Sequence, residues 1–148
     1  MKSSPDSLDW SIGEVADRFG LETHVLRHWE DVGLLAPARD SAGRRRYHRD
    51  DVVRVATVVR SKAAGMSLDQ IMVLLDAEAA GRHQVLEAHI ADLDRRMEEM
   101  RRSREMTEHA LRCRAHDIAT CPRFSAILED LLSGERAAFP SIHSGQHV

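Results

Sequence analysis

Aromatic residues make up only 4% of this 148-residue chain, with a single tyrosine among them, while charged residues make up 30%. That mix suits a helical protein with long solvated faces. Cysteine is scarce too: there are two, Cys113 and Cys121. The opening residues MKSSPDSLDW lack the apolar stretch of an export signal. The two cysteines are therefore expected to be reduced thiols of a cytoplasmic protein rather than a structural disulfide. No apolar run reaches the ~20 residues of a membrane span. There is no glycine-rich phosphate loop, no His-Glu-x-x-His and no Cys-x-x-Cys, so no catalytic constellation exists and no enzyme is expected. A large positive charge is also missing. The net charge of -3 by itself argues against nucleic-acid binding. Its distribution reverses that argument. Residues 39–62 carry eight Arg or Lys against three Asp, whereas residues 66–148 carry ten basic against fourteen acidic residues. Phosphate binding follows the local field, so a basic patch on an acidic molecule suffices.

What is present is ordered. Ser11 with Glu14 three residues later forms a capping-box pattern, and Ile12, Val15, Ala16 and Phe19 follow at helical spacing up to Gly20. Thr23 is expected to cap a second helix reaching about Asp31, with Leu26 and Trp29 inward and Arg27, His28 and Glu30 outward. Residues 35–47 are expected to form a β-hairpin wing whose return strand contains Arg45, Arg46 and Tyr47. Asp50 or Asp51 is expected to start a third helix and Ser67 to cap a fourth. A helix that can enter a groove, followed by clustered arginines, is a DNA-binding layout.

The next helix is long, from about Arg82 to Arg112. Leu86, Ile90, Leu93, Met97 and Met100 recur at alternating spacings of four and three, and the register continues through Arg104 and Thr107 to Leu111. This heptad stripe cannot be buried by one helix alone and calls for a partner, most simply a second copy of the chain. Beyond it lie Cys113, His116 and Cys121, then Pro122 and a short amphipathic helix over residues 124–131. Thiolates suit Cu(I), Zn(II) or heavier ions, and imidazole suits several of them. Two thiolates can hold a soft monovalent ion, whereas zinc calls for four ligands.

These features resemble the bacterial MerR family of transcription regulators. The resemblance rests on SIGEVADRFGLETHVLRHWEDVGLL, then GRRRYHRDDVVRVATVVRSKAAGMSLDQIMVLL, with the long helix and C-terminal loop in the family's order. Leu26-Arg27-His28-Trp29-Glu30 is similar to the family's recognition-helix signature, with His28 in place of an aromatic. Arg45 and Tyr47 match the wing signature, and Arg44 replaces its tyrosine. Cys113, seven residues, then Cys121-Pro122 resembles the end of the dimerisation helix in the copper-efflux and zinc-export regulators. A further cysteine, which the divalent-metal regulators carry near the start of the long helix, is lacking here.

The fold class expected is mostly α: a winged helix-turn-helix over residues 11–76, a long antiparallel coiled-coil dimerisation helix over 82–112, and an effector loop with a short helix over 113–132. Residues 1–10 and 133–148 are expected to be flexible. Arg27, Arg44, Arg45 and Arg46 are candidate phosphate contacts, and Thr23, His24 and His28 lie on the helix that faces DNA. Tyr47 is a candidate for DNA contact or for packing. Cys113, His116 and Cys121 are candidate ligands for Cu(I) or Zn(II). The resemblance implies a homodimer on double-stranded promoter DNA that distorts the promoter so that RNA polymerase can use it, with no membrane partner. A thiol-based redox regulator and an effector-independent architectural DNA-binding protein are the alternatives.

Overall fold

The computed structural model describes residues 9–135. Most of both segments expected to be flexible lies outside the described residues. The elements run α1 (Ile12–Phe19), α2 (Thr23–Asp31), β1 (Ala38–Arg39), β2 (Arg45–Arg46), α3 (Arg49–Ala63), α4 (Leu68–Leu75), α5 (Arg82–Arg112), a 3-10 turn (Ile118–Thr120), α6 (Pro122–Ile127) and α7 (Glu129–Leu132). The chain divides into two compact units, one ending at Glu87 and the other starting at Ala88.

In the first unit α1 and α4 start where the sequence predicts. The backbone N–H of Glu14 donates to Ser11 Oγ at 3.3 Å, and the N–H of Ser11 donates to Glu14 Oε2 at 2.7 Å. This reciprocal box satisfies two donors that the first turn would otherwise leave bare. Gly20, at φ 64°, takes the left-handed conformation that closes α1. Ser67 and Gln70 repeat the box at the start of α4. Val15 and Ala16 of α1, Leu26 and Trp29 of α2, Val55 and Val58 of α3 and Ile71 of α4 meet in one core. Burial at this level stabilises by about 1.5–3 kcal/mol per large apolar side chain.

Three local expectations need correction. Thr23 is the first residue of α2 rather than its cap. The capping position belongs to Glu22, whose side chain makes no capping bond. The third helix starts at Arg49, one residue before the expected aspartates, because the His48 N–H donates to Asp51 Oδ2 at 2.9 Å. Trp10 is anchored, although residues 1–10 were expected to be flexible. Its N–H donates to the Tyr47 carbonyl at 2.9 Å, and Tyr47 N–H donates back at 2.8 Å.

The wing is a two-stranded antiparallel ribbon, with Ala38 opposite Arg46 and Arg39 opposite Arg45. Asp40 shapes its tip: Oδ1 accepts from the N–H groups of Ala42 and Arg44, both at 2.9 Å.

The long helix α5 carries no buried residue. Its apolar stripe lies open along the helix, with Met97 68%, Met100 74% and Leu111 84% exposed. Ion pairs one turn apart, such as Arg96–Asp92 at 3.1 Å and Arg104–Glu108 at 2.9 Å, line the same helix. The single helix expected over residues 124–131 is interrupted. Leu128 sits at φ -98° and ψ 6°, and its N–H turns back to the Ser125 carbonyl, which separates α6 from α7. Asp130 of α7 pairs with Arg102 of α5.

Candidate functional site

The DNA-facing candidates do not behave alike. On α2, His24, Arg27 and His28 are exposed and Thr23 is half-buried. Arg27 Nη1 lies 3.5 Å from Thr23 Oγ1, one turn back. The arginine run of the wing is not a free cluster of charge. Arg45 is ion-paired with Glu30 of α2, and Arg39 Nη2 donates to the same carboxylate at 3.0 Å. Burial pushes the Glu30 carboxyl up. The hydrogen bonds and charges of Arg45 and Arg39 outweigh it and hold the group below its ordinary value. Arg44 and Arg46 share Asp40, at 3.0 and 3.4 Å. The Arg44 side chain is still 73% exposed and is able to reach outward.

Tyr47 is fully buried, and its Oη has no hydrogen-bond partner among the described residues. The expectation of a DNA contact from Tyr47 is therefore corrected in favour of packing: the ring belongs to the core, one residue beyond β2. Sequence reasoning missed Glu30, Arg39 and Asp40 as organisers of the wing. Glu30 and Arg45 are fifteen residues apart, and only the hairpin register brings them together.

The thiol site lies at the end of α5. Cys113 follows the last helical residue, and its N–H still donates to the His109 carbonyl at 2.8 Å. Asp117 then turns the chain: its Oδ1 accepts from the Ala119 N–H at 3.0 Å, and the 3-10 turn that follows delivers Cys121 to the start of α6. The two Sγ atoms and a ring nitrogen of His109 lie within 4.8 Å of one another. His109 Nε2 is 3.2 Å from Cys121 Sγ, and its ring stacks on Phe124 with centroids 6.2 Å apart. The Cys121 thiol is pulled down to about 7, first by the backbone N–H of Phe124, then by His109, against an upward push from burial. His116 is exposed and does not join this group. The missed residue was legible in principle, since His109 and Cys113 stand four apart on one helix and so share a face.

The donors suit a metal ion. Ligands bound at about 2.0–2.3 Å to one centre stand at most ~4.6 Å apart, and the three donor atoms here lie within 4.8 Å of one another. Two sulfurs and an imidazole nitrogen are also the donors that soft ions prefer.

A helix pair with a buried hydrophobic seam, followed by an arginine-bearing wing, defines a winged helix-turn-helix DNA-binding head. Residues 10–78 match the model of the MerR HTH family regulatory proteins, and residues 52–109 match the model described as MerR, DNA binding. The chain is similar to the HTH-type transcriptional regulator HmrR of Rhizobium leguminosarum bv. viciae, with 31% identity over 131 residues covering 84% of this chain and 98% of the relative. It is also similar to the heavy metal-dependent transcription regulator 2 of Rhizobium meliloti, at 30% identity covering 84% and 87%. Among solved structures it is similar to HiNmlR, a MerR family regulator lacking the sensor domain, bound to promoter DNA. The TM-score there is 0.60 and the identity 23%, over 70% of this chain and 88% of that one. The chain belongs to the MerR family of helix-turn-helix transcription regulators, and it is not an enzyme. Among the described residues no helix is long and apolar enough to cross a membrane.

Proposed function

We propose that this protein is a cytoplasmic, homodimeric regulator that responds to a soft metal ion, Cu(I) or Zn(II), held at Cys113 and Cys121. Residues 11–76 form the head that grips one half of a promoter site, residues 82–112 pair antiparallel with a second copy, and residues 113–132 form the effector loop. The observation that carries the reading is the convergence of two sulfurs and an imidazole nitrogen within 4.8 Å at the end of α5. A relative named as a heavy metal-dependent regulator supports it.

Both thiols are needed to close the loop on the end of α5, and they bind an ion as thiolates. An ion bound there would cross-link the end of α5 to the start of α6. Effector binding need only favour one arrangement of the dimer over another. In the active arrangement the heads bend and untwist promoter DNA for RNA polymerase, at a deformation cost offset by phosphate contacts from both heads. The test is transcription from a cognate promoter with metal-buffered, reduced protein. Parent protein should respond to the ion, and the C113S/C121S double variant should bind DNA without responding.

The proximity of the two sulfurs also favours a second reading, in which an oxidant joins them as a disulfide and the electrons pass to that oxidant. Response to peroxide in metal-free protein, with none to metal, would select that reading.

A further inference from the structure

We infer that His109 is the third ligand of the Cys113–Cys121 site, and that the site is built for a divalent soft ion of the zinc class rather than a two-coordinate monovalent ion. This rests on the metal-binding reading above and deepens it: the chain has no third cysteine, and His109 is the donor that stands in for the further thiolate of the divalent-metal regulators.

The first argument is placement. A linear two-thiolate site needs its sulfurs on opposite sides of the ion and nothing else within bonding range. Here an imidazole nitrogen stands 3.2 Å from Cys121 Sγ and within 4.8 Å of Cys113 Sγ, close enough to share one ion with both sulfurs. The second is pre-organisation. His109 is borne on the rigid last turn of α5, its ring lies against Phe124, and Cys113 is four residues on along the same face. Two of the three donors thus come from one helix turn, with the imidazole direction fixed before an ion arrives. His116, on the exposed loop, has no such support.

The third argument is charge. Two thiolates and a neutral imidazole sum to -2, which a divalent ion neutralises and a monovalent ion leaves at -1. All three ligands are only partly buried, so a fourth position stays open to water or a partner residue. Zinc completes its four-fold set in that way.

The test uses reduced full-length protein and three probes: Zn(II) and Cu(I), each against a competing chelator, and Co(II) as a spectroscopic stand-in for zinc. The H109F variant keeps a ring against Phe124 but cannot ligate. The expected result is that H109F lowers Zn(II) affinity at least ~10-fold, alters the Co(II) ligand-field bands, and leaves Cu(I) affinity within about threefold of parent, while H116A matches parent throughout. Circular dichroism and DNA affinity confirm that H109F is folded. Zn(II) affinity and Co(II) spectrum unchanged in folded H109F would overturn the inference, as would parent protein that binds Cu(I) but neither divalent probe. Parent-like binding by C113S/C121S is a separate result, and it would remove the underlying metal reading instead.

Discussion

Glu30 of the second helix and Arg45 of the returning wing strand form an ion pair, and each side chain is about four-fifths shielded from solvent. The pair fixes the wing to α2, the second helix of the helix-turn-helix. Arg39, on the opposite strand, closes on the same carboxylate, so both strands of the ribbon are tied to one point. Arg45 thus acts first as a strut, and we propose the exposed Arg44 as the phosphate contact.

This division predicts different consequences for neighbouring arginines. Replacing Arg44 with alanine should weaken DNA binding and lower the slope of log affinity against log salt by about 1, as expected for one lost phosphate contact. Its urea midpoint should match the parent. Replacing Arg45 should lower the midpoint, by about 1–2 kcal/mol of stability, because the charged hydrogen bond is lost and Glu30 keeps only Arg39. Fluorescence titrations at several salt concentrations, paired with urea melts, separate the two. Equal melts for both variants would contradict the strut.

The same pair predicts a pH dependence. The Glu30 carboxyl is held below its ordinary value in the folded chain. Its contribution is therefore present above the unfolded value of about 4.3 and is lost as pH falls through the lower folded value. The stability gap between parent and E30Q should be full at pH 7 and shrink steadily below pH ~4. Urea unfolding across that range checks it, and a gap independent of pH would count against the pair.

The open stripe on α5 predicts the assembly. Ile90, Met97 and Met100 are exposed in the single chain, so a charge at Ile90 costs the monomer little. In a paired helix the same charge is desolvated without a partner, which is strongly destabilising. I90E should sediment as a folded monomer at micromolar concentration, where the parent sediments as a dimer. A dimeric I90E would place the interface elsewhere.

Much of the head was legible because its signals are local. Ser11 with Glu14 and Ser67 with Gln70 announce helix starts within four residues, and Gly20 announces a stop. The heptad stripe is equally local, since it depends only on spacing. The missed features depend on long-range register. Glu30 meets Arg45, and Trp10 pairs with Tyr47, only once the ribbon has formed. The burial of the one tyrosine follows from the same register. At the thiol site, the two cysteines stood out by their spacing, whereas the histidine that lies beside them did not. His116 lies between the cysteines in sequence, yet the loop leaves it exposed, while the helix turn aims His109 at the sulfurs.

Coupling of a soft metal ion to promoter activity is the role proposed for Cys113 and Cys121. The most direct measurement is run-off transcription by reduced protein across buffered Zn(II) and Cu(I), comparing parent with C113S/C121S at equal DNA occupancy. The parent's transcription is expected to rise with one of these ions, and the double variant to stay flat while binding the promoter as tightly. An identical metal response from the two proteins would contradict it.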